Sequence, residues 1–190
     1  MRIIAGTYRS RTLEAPDGMA TRPTSDRLRE TLFNVLAPRI AGARFLDLYA
    51  GSGAIALEAL SRGAERVEMV EKAPGAGKVL RGNFVRLGVR SGFHLHECSV
   101  AAALRRMAQQ QAKTNGAGFD LIFLDPPYDA AEEYSATLES LGGVFSALLT
   151  AEGLLIAEHR RKVKLEDRYG RLTRTRLLEQ GDAALSFFAL

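Results

Sequence analysis

The amino-acid sequence predicts an α/β fold: a doubly wound, mostly parallel sheet ending in a C-terminal antiparallel hairpin. Three observations predict it. From about residue 43 onward, short β-rich runs alternate with helical stretches, the pattern that builds βαβ units and a parallel sheet. One run, Phe119 to Leu124, reads as a continuous apolar strand, as a sheet covered on both faces requires. The end of the chain instead reads Leu172 to Leu178, a Gln180-Gly181-Asp182 turn, then Ala184 to Ala189, which is a hairpin pattern.

The elements follow in order. Phe45 to Tyr49 is the first strand, Ala54 to Ser61 a helix, and Arg66 to Val70 the second strand. Residues 76–87 are helical, with Val79, Leu80, Phe84 and Leu87 at helical spacing. Phe93 to Glu97 forms a third strand, Ala101 to Gln111 a helix, and Lys113 to Gly118 a loop. After the apolar strand, a helix is expected over about 132–148 and a fifth strand over Gly153 to Ala157. Ahead of the core, Pro23-Thr24-Ser25-Asp26 starts a helix that Thr24 or Ser25 can cap, and Asp26 suits its positive end. Leu28, Leu32, Val35 and Leu36 give it an apolar face, and Pro38 marks its end. The expected organisation is a basic amino-terminal extension with its helix over 1–43 and one compact unit over 44–190.

Composition narrows the function classes. Of 190 residues, 46% are hydrophobic and 25% charged, which excludes collagen-like, disordered and disulfide-framed chains. No apolar run approaches the roughly 18 residues that span a bilayer. Met1 to Gly6 passes at once into polar, basic sequence, so no secretory segment is expected. The single cysteine, Cys98, cannot form an internal disulfide, and a reducing cytoplasm is expected. Net charge is +4, but it is unevenly spread. The middle of the chain is acidic. Residues 160–176 carry Arg160, Arg161, Lys162, Lys164, Arg168, Arg171, Arg174 and Arg176 against only Glu166 and Asp167. Positive margins around an acidic core suit a polyanionic partner.

Gly51-Ser52-Gly53 separates the first strand from the first helix. Glycine allows a tight turn and lets a ligand approach without meeting a Cβ. In open α/β sheets such a crevice at the carboxyl ends of the strands takes adenosine-containing ligands. Glu71 closes the second strand at the distance where an acidic residue accepts ribose hydroxyls. Nicotinamide cofactors and S-adenosylmethionine both use this pattern. Asp47 at the first strand's end favours the latter, because a carboxylate attracts a sulfonium or amino group and repels a pyrophosphate.

Asp125-Pro126-Pro127-Tyr128 follows directly on the apolar strand and is expected at the sheet's carboxyl edge, beside the glycine turn. A nucleobase amine is a poor nucleophile because its lone pair is delocalised into the ring. Two acceptors on its two N–H groups draw the nitrogen toward a tetrahedral form. The Asp125 carboxylate and the Pro126 carbonyl can be those acceptors. Proline fixes φ and adds no competing donor, so the pair holds that carbonyl in place. Tyr128 offers a ring on which the base can stack. Alignment and placed dipoles lower the methyl-transfer barrier without a metal.

The glycine turn, Glu71 and Asp125 to Tyr128 resemble the motifs of class I, S-adenosylmethionine-dependent amino-methyltransferases. Arg2 to Gly6, Thr21 to Glu30, Ala157-Glu158-His159 and Gly181 to Phe187 resemble the bacterial 16S ribosomal RNA (guanine(966)-N2)-methyltransferase family. The resemblance implies a Rossmann-like fold, with methyl transfer from S-adenosylmethionine, leaving S-adenosylhomocysteine. The acceptor would be the N2 amine of one guanine in the assembled or assembling small ribosomal subunit. It implies Asp47, Gly51, Ser52, Gly53 and Glu71 at the cofactor, Asp125 to Tyr128 at a flipped base, and Thr21 to Thr24 over the site's mouth. It makes 44–190 the methyltransferase domain. Two departures stand out: Ser10 occupies a position where the family often has glycine, and the third strand ends Glu97-Cys98-Ser99. Of these, Ser99 is assigned to the adenine.

Arg9, Arg11, Arg22 and Thr24 are candidate substrate contacts, the arginines through phosphates. His94, His96 and Cys98 alternate on one strand, where a half-exposed face rather than a metal site is expected, and His159 is expected on a polar surface. A monomer suffices. The rival readings keep the chemistry on adenine N6, cytosine N4 or a glutamine amide, replace catalysis with RNA binding during assembly, or make the chain a nicotinamide-dependent reductase.

Overall fold

The computed structural model describes residues 1–16, 25–127 and 131–190. These form two compact units, Met1–Ser99 and Val100–Leu190.

The first unit opens with an arm over residues 1–14, in which Arg2 and Thr12 form an antiparallel bridge. Helix α1 (Asp26–Ile40) follows, capped by the Ser25 side chain, which accepts the Leu28 N–H at 3.1 Å. Pro38 lies inside it and does not end it. Its missing N–H costs one bond in the last turn, while Ile40 two residues on is buried and keeps that turn against the core. The apolar face consists of Leu28, Leu32, Phe33, Leu36 and Ile40, with Val35 only half-buried. Strand β1 (Arg44–Asp47), helix α2 (Ala54–Ser61), strand β2 (Arg66–Val70), helix α3 (Pro74–Leu87) and strand β3 (Phe93–His96) complete the unit. Its sheet is parallel in the order β3-β2-β1, with Asp47 opposite Met69 and Val70 opposite His96. Phe33 stacks on Phe45 at 6.3 Å, both wholly buried. Truncating either to alanine costs about 3–5 kcal/mol.

The second unit begins with helix α4 (Val100–Thr114) and strand β4 (Phe119–Leu124). Helix α5 (Ala131–Gly142) stops earlier than the sequence suggests, and a separate 3-10 turn covers Ser146–Leu148. The reason is packing: a Cβ on Gly142 would stand 1.7 Å from the Tyr169 carbonyl oxygen, so the chain at Gly142 meets another backbone there. Strand β5 (Leu149–Arg160) is longer than expected and carries a register shift where it pairs with β4 between Phe119 and Leu121. A two-residue strand, β6 (Arg168–Tyr169), precedes the hairpin of β7 (Leu172–Gln180) and β8 (Ala183–Ala189). The order is β4-β5-β8-β7-β6, parallel between β4 and β5 and antiparallel thereafter. The α/β class with its terminal antiparallel hairpin is thus the architecture observed. Among the described residues no helix is long and apolar enough to cross a membrane.

Candidate functional site

In the first unit the chain leaves β1 at Asp47 and enters α2 through two left-handed glycines, Gly51 at φ 52° and Gly53 at φ 78°. They are needed for different reasons. A Cβ on Gly53 would meet Leu80 at 3.0 Å and Phe84 at 3.2 Å, so this glycine lets α3 pack against the turn. A Cβ on Gly51 would meet nothing within 4 Å, so space stands open beside its backbone.

Glu71, at the end of β2, holds the turn from one side. One of its oxygens accepts the Gly51 N–H at 2.9 Å and the other accepts the Ala73 N–H at 2.7 Å. Each oxygen keeps a lone pair for a ligand hydroxyl. Asp47 lies beneath, 1% exposed, and neither of its oxygens makes a well-formed hydrogen bond. Burial, reinforced by the Glu71 charge, raises its carboxyl to about 7, with the nearby Tyr49 and Ala56 amides opposing the shift. A buried carboxylate without a cationic partner is a position that a cationic ligand group would relieve.

Ser52 is nine-tenths buried, and its carbonyl accepts from the Asn83 side-chain amide at 2.9 Å. No local pattern in the sequence marks Asn83. It lies on α3, is wholly buried, and also binds both backbone groups of Glu14, so it ties the amino-terminal arm to the glycine turn. A second fastening runs through α2. Glu58 accepts the Ile4 and Ala5 N–H groups at 2.8 and 3.1 Å and pairs with Arg62 at 2.7 Å. The equally buried Arg29 lies 3.8 Å from it and donates to the Arg2 carbonyl. Ser61 donates to the Ala5 carbonyl and accepts the Tyr8 N–H. Arg9 and Arg11 stand exposed at the arm's tip, on either side of Ser10, whose φ of 67° is in the left-handed region.

The end of β3 presents three candidates. Glu97 pairs with Arg81 at 2.6 Å, Cys98 is half-buried, and Ser99 is exposed just before α4. His94 and His96 share a face, their rings 4.4 Å apart, and His96 pairs with Glu68 at 2.8 Å. Among the described residues no group of three or more His, Cys, Asp or Glu side chains is arranged to hold a metal.

In the second unit Asp125, Pro126 and Pro127 follow β4 directly, half-buried, buried and exposed in turn. Leu124 pairs with Ala157 of the parallel strand β5, so Asp125 emerges at the carboxyl end of β4 while β5 runs on to Arg160. Tyr128, Arg22 and Thr24 lie outside the described residues. His159 is not on a polar surface: it is 3% exposed, with Nδ1 on the Arg160 carbonyl and Nε2 on the Ser186 hydroxyl, both at 2.9 Å. A carbonyl only accepts, so Nδ1 carries the hydrogen and Ser186 donates to Nε2 of the neutral ring. The cause is its place on β5 in register with Ala184 of β8, with Tyr134 edge-on to its ring.

Residues 1–189 match the family described as conserved hypothetical protein 95. The chain is 36% identical over 176 residues to a Bacillus subtilis protein provisionally named rRNA methyltransferase YlbH, covering 93% of this chain and 91% of that one. It is 39% identical over 128 residues to ribosomal RNA small subunit methyltransferase D of Escherichia coli K12, covering 67% of this chain and 60% of that protein. In structure it is similar to an Escherichia coli protein provisionally named methyltransferase yhhF. The TM-score there is 0.80 at 33% identity, over 99% of this chain and 96% of the other.

Proposed function

The chain belongs to the conserved hypothetical protein 95 family, and on that premise we propose that it methylates the N2 amine of a guanine in 16S ribosomal RNA, within the assembled or assembling small subunit. The observation that carries the reading is Asp125-Pro126-Pro127 at the carboxyl end of β4, in a chain whose relatives are named as rRNA methyltransferases.

S-adenosylmethionine, when bound, supplies an electrophilic methyl carbon on a cationic sulfonium. The first unit offers what that molecule requires. Asp47 is a buried carboxylate lacking a cationic partner, Gly51 is open on one side, and Glu71 has lone pairs to spare for ribose hydroxyls. Ser52 and Gly53 complete the turn, and Ser99 is assigned to the adenine. The second unit offers acceptors for the substrate. Asp125 takes one N–H of the guanine amine and the Pro126 carbonyl takes the other, which frees the nitrogen lone pair from the ring. Asp125 receives the proton late, since the amine becomes acidic as the new bond forms. Base-modifying enzymes act on extruded bases, and Tyr128 would stack on this one. Arg9, Arg11, Arg22 and Thr24 are proposed to meet the surrounding RNA. In this reading residues 1–43 are the extension, 44–190 the methyltransferase domain, and the protein works as a cytoplasmic monomer.

The test is incubation with labelled S-adenosylmethionine and three acceptors: undermodified small subunits, free ribosomal RNA and DNA. Label should enter 16S RNA alone, chiefly in particles, and map to a guanine N2. Asp125→Ala should abolish transfer while leaving cofactor affinity within a few-fold. Full activity in that variant, or label on an adenine, overturns the assignment. Tighter binding of NADH than of S-adenosylmethionine would point to a reductase instead.

A further inference from the structure

The proposed chemistry leaves one concentration of charge without a role, and the second unit puts it close to Asp125. β4 and β5 run parallel with Leu124 opposite Ala157, so Asp125 and the end of β5 leave the sheet in the same direction. β5 continues from Ala157 through Glu158 and His159 to Arg160, roughly 10 Å further at about 3.3 Å per residue. There the chain turns. The Val163 N–H donates to the Arg160 carbonyl at 2.9 Å, and the Arg161 N–H donates to the Asp182 carbonyl of the β7–β8 loop at 2.8 Å. The segment beyond is also held. Leu165 and Tyr169 are buried, the Tyr169 hydroxyl accepts the Glu166 N–H at 3.0 Å, and Arg174 pairs with Asp167.

This fixed turn exposes Arg161, Lys162 and Lys164. Among the described residues, none of the three makes an ion pair or a side-chain hydrogen bond. Edge protection is the ordinary reason for cations on a sheet, but these three lie past the last ladder pair of β5, Arg160 opposite Ala183, on a turn and not on a strand edge. Three adjacent unpaired cations repel one another, and a row of anions would relieve them.

We propose that the Arg161–Lys164 turn docks the sugar-phosphate backbone of structured RNA next to the base presented to Asp125. The inference rests on the RNA-directed reaction above and extends it to the surface that grips the substrate. Phosphate contacts of this kind set register and orientation without reading sequence. Each adds close to one counterion to the salt dependence of binding.

The experiment compares the wild-type protein with the triple variant Arg161→Ala, Lys162→Ala, Lys164→Ala, with Arg106→Ala as a control for an exposed cation elsewhere. Thermal melting reports the fold. Binding to undermodified small subunits and to protein-free 16S RNA is measured across a salt series, with methyl transfer read in parallel. The triple variant should lose about ten-fold or more in affinity for both RNAs, raise KM with kcat nearly unchanged, and flatten the salt slope by about two to three. S-adenosylmethionine affinity should stay the same, and Arg106→Ala should match wild type. Equal affinity and slope in wild type and triple variant overturn the proposal. Affinity lost for particles but kept for protein-free RNA also overturns it, since the turn would then meet a ribosomal protein. If wild type binds the RNA through these cations yet transfers no methyl group, the docking surface stands and the proposed reaction falls.

Discussion

Asn83 grips Glu14 by both of its backbone groups, accepting from the Glu14 amide at 2.9 Å and donating to the Glu14 carbonyl at 3.0 Å. Its remaining N–H reaches Ser52 in the glycine turn. One buried amide therefore joins the amino-terminal arm to the turn assigned to the cofactor. Asn83→Ala leaves the Ser52 carbonyl and both Glu14 backbone groups without this partner, so stability should fall by about 2–4 kcal/mol. Denaturant melts should show that loss, and calorimetry should show weaker S-adenosylmethionine binding in the fraction that remains folded. A variant as stable as wild type would mean that water replaces the amide at no cost.

Asp47 should make stability and ligand affinity respond to pH in opposite senses. Its folded carboxyl titrates at about 7 against an ordinary value of 3.8. Between those limits the folded state holds the proton more tightly, so stability is full below about pH 4 and declines as pH rises toward 7. Asp47→Asn should therefore be more stable than wild type at pH 8, by on the order of a few kcal/mol, with the gap closing near pH 4. A cationic ligand favours the ionised carboxyl, so wild-type affinity for S-adenosylmethionine should rise with pH through about 7. In Asp47→Asn that rise should vanish and affinity should be low throughout. A pH-independent wild-type affinity would remove Asp47 from the cofactor's surroundings.

His159 carries the reverse dependence. Burial, supported by the Arg174 charge, holds its ring below the usual histidine range, against the Arg160 and Val163 backbone. The unfolded chain then takes up the proton first as pH falls below about 6.5, and the fold loses stability from there down to the depressed folded pKa. Melting temperature followed from pH 8 to pH 5 should drop more in wild type than in His159→Gln. Parallel curves would show that the ring accepts a proton in place.

Ser10 stands between the exposed Arg9 and Arg11 with φ at 67°, a conformation that costs a residue with a Cβ about 1–2 kcal/mol. Ser10→Gly removes that strain and adds freedom to the unfolded chain, so a net gain of up to about 1 kcal/mol is expected. Melting temperature should rise without a change in S-adenosylmethionine affinity. A loss of stability would show that the serine hydroxyl earns its position through contacts in the arm.

The order of strands and helices along the chain, the closing hairpin, the Gly51-Ser52-Gly53 turn, Glu71 and the placement of Asp125-Pro126-Pro127 behind β4 are legible in the residues alone. Hydrophobic period and turn chemistry are written within a few consecutive residues, which is why α2, β2 and β4 fall where the pattern puts them. Long-range packing is what stops α5 at Gly142, puts His159 in the interior, and makes Asn83, Glu58 and Ser61 fasten the amino-terminal arm. Their partners lie 53 to 69 positions away along the chain. A buried polar group takes its meaning from what folding brings against it, and no local periodicity carries that information.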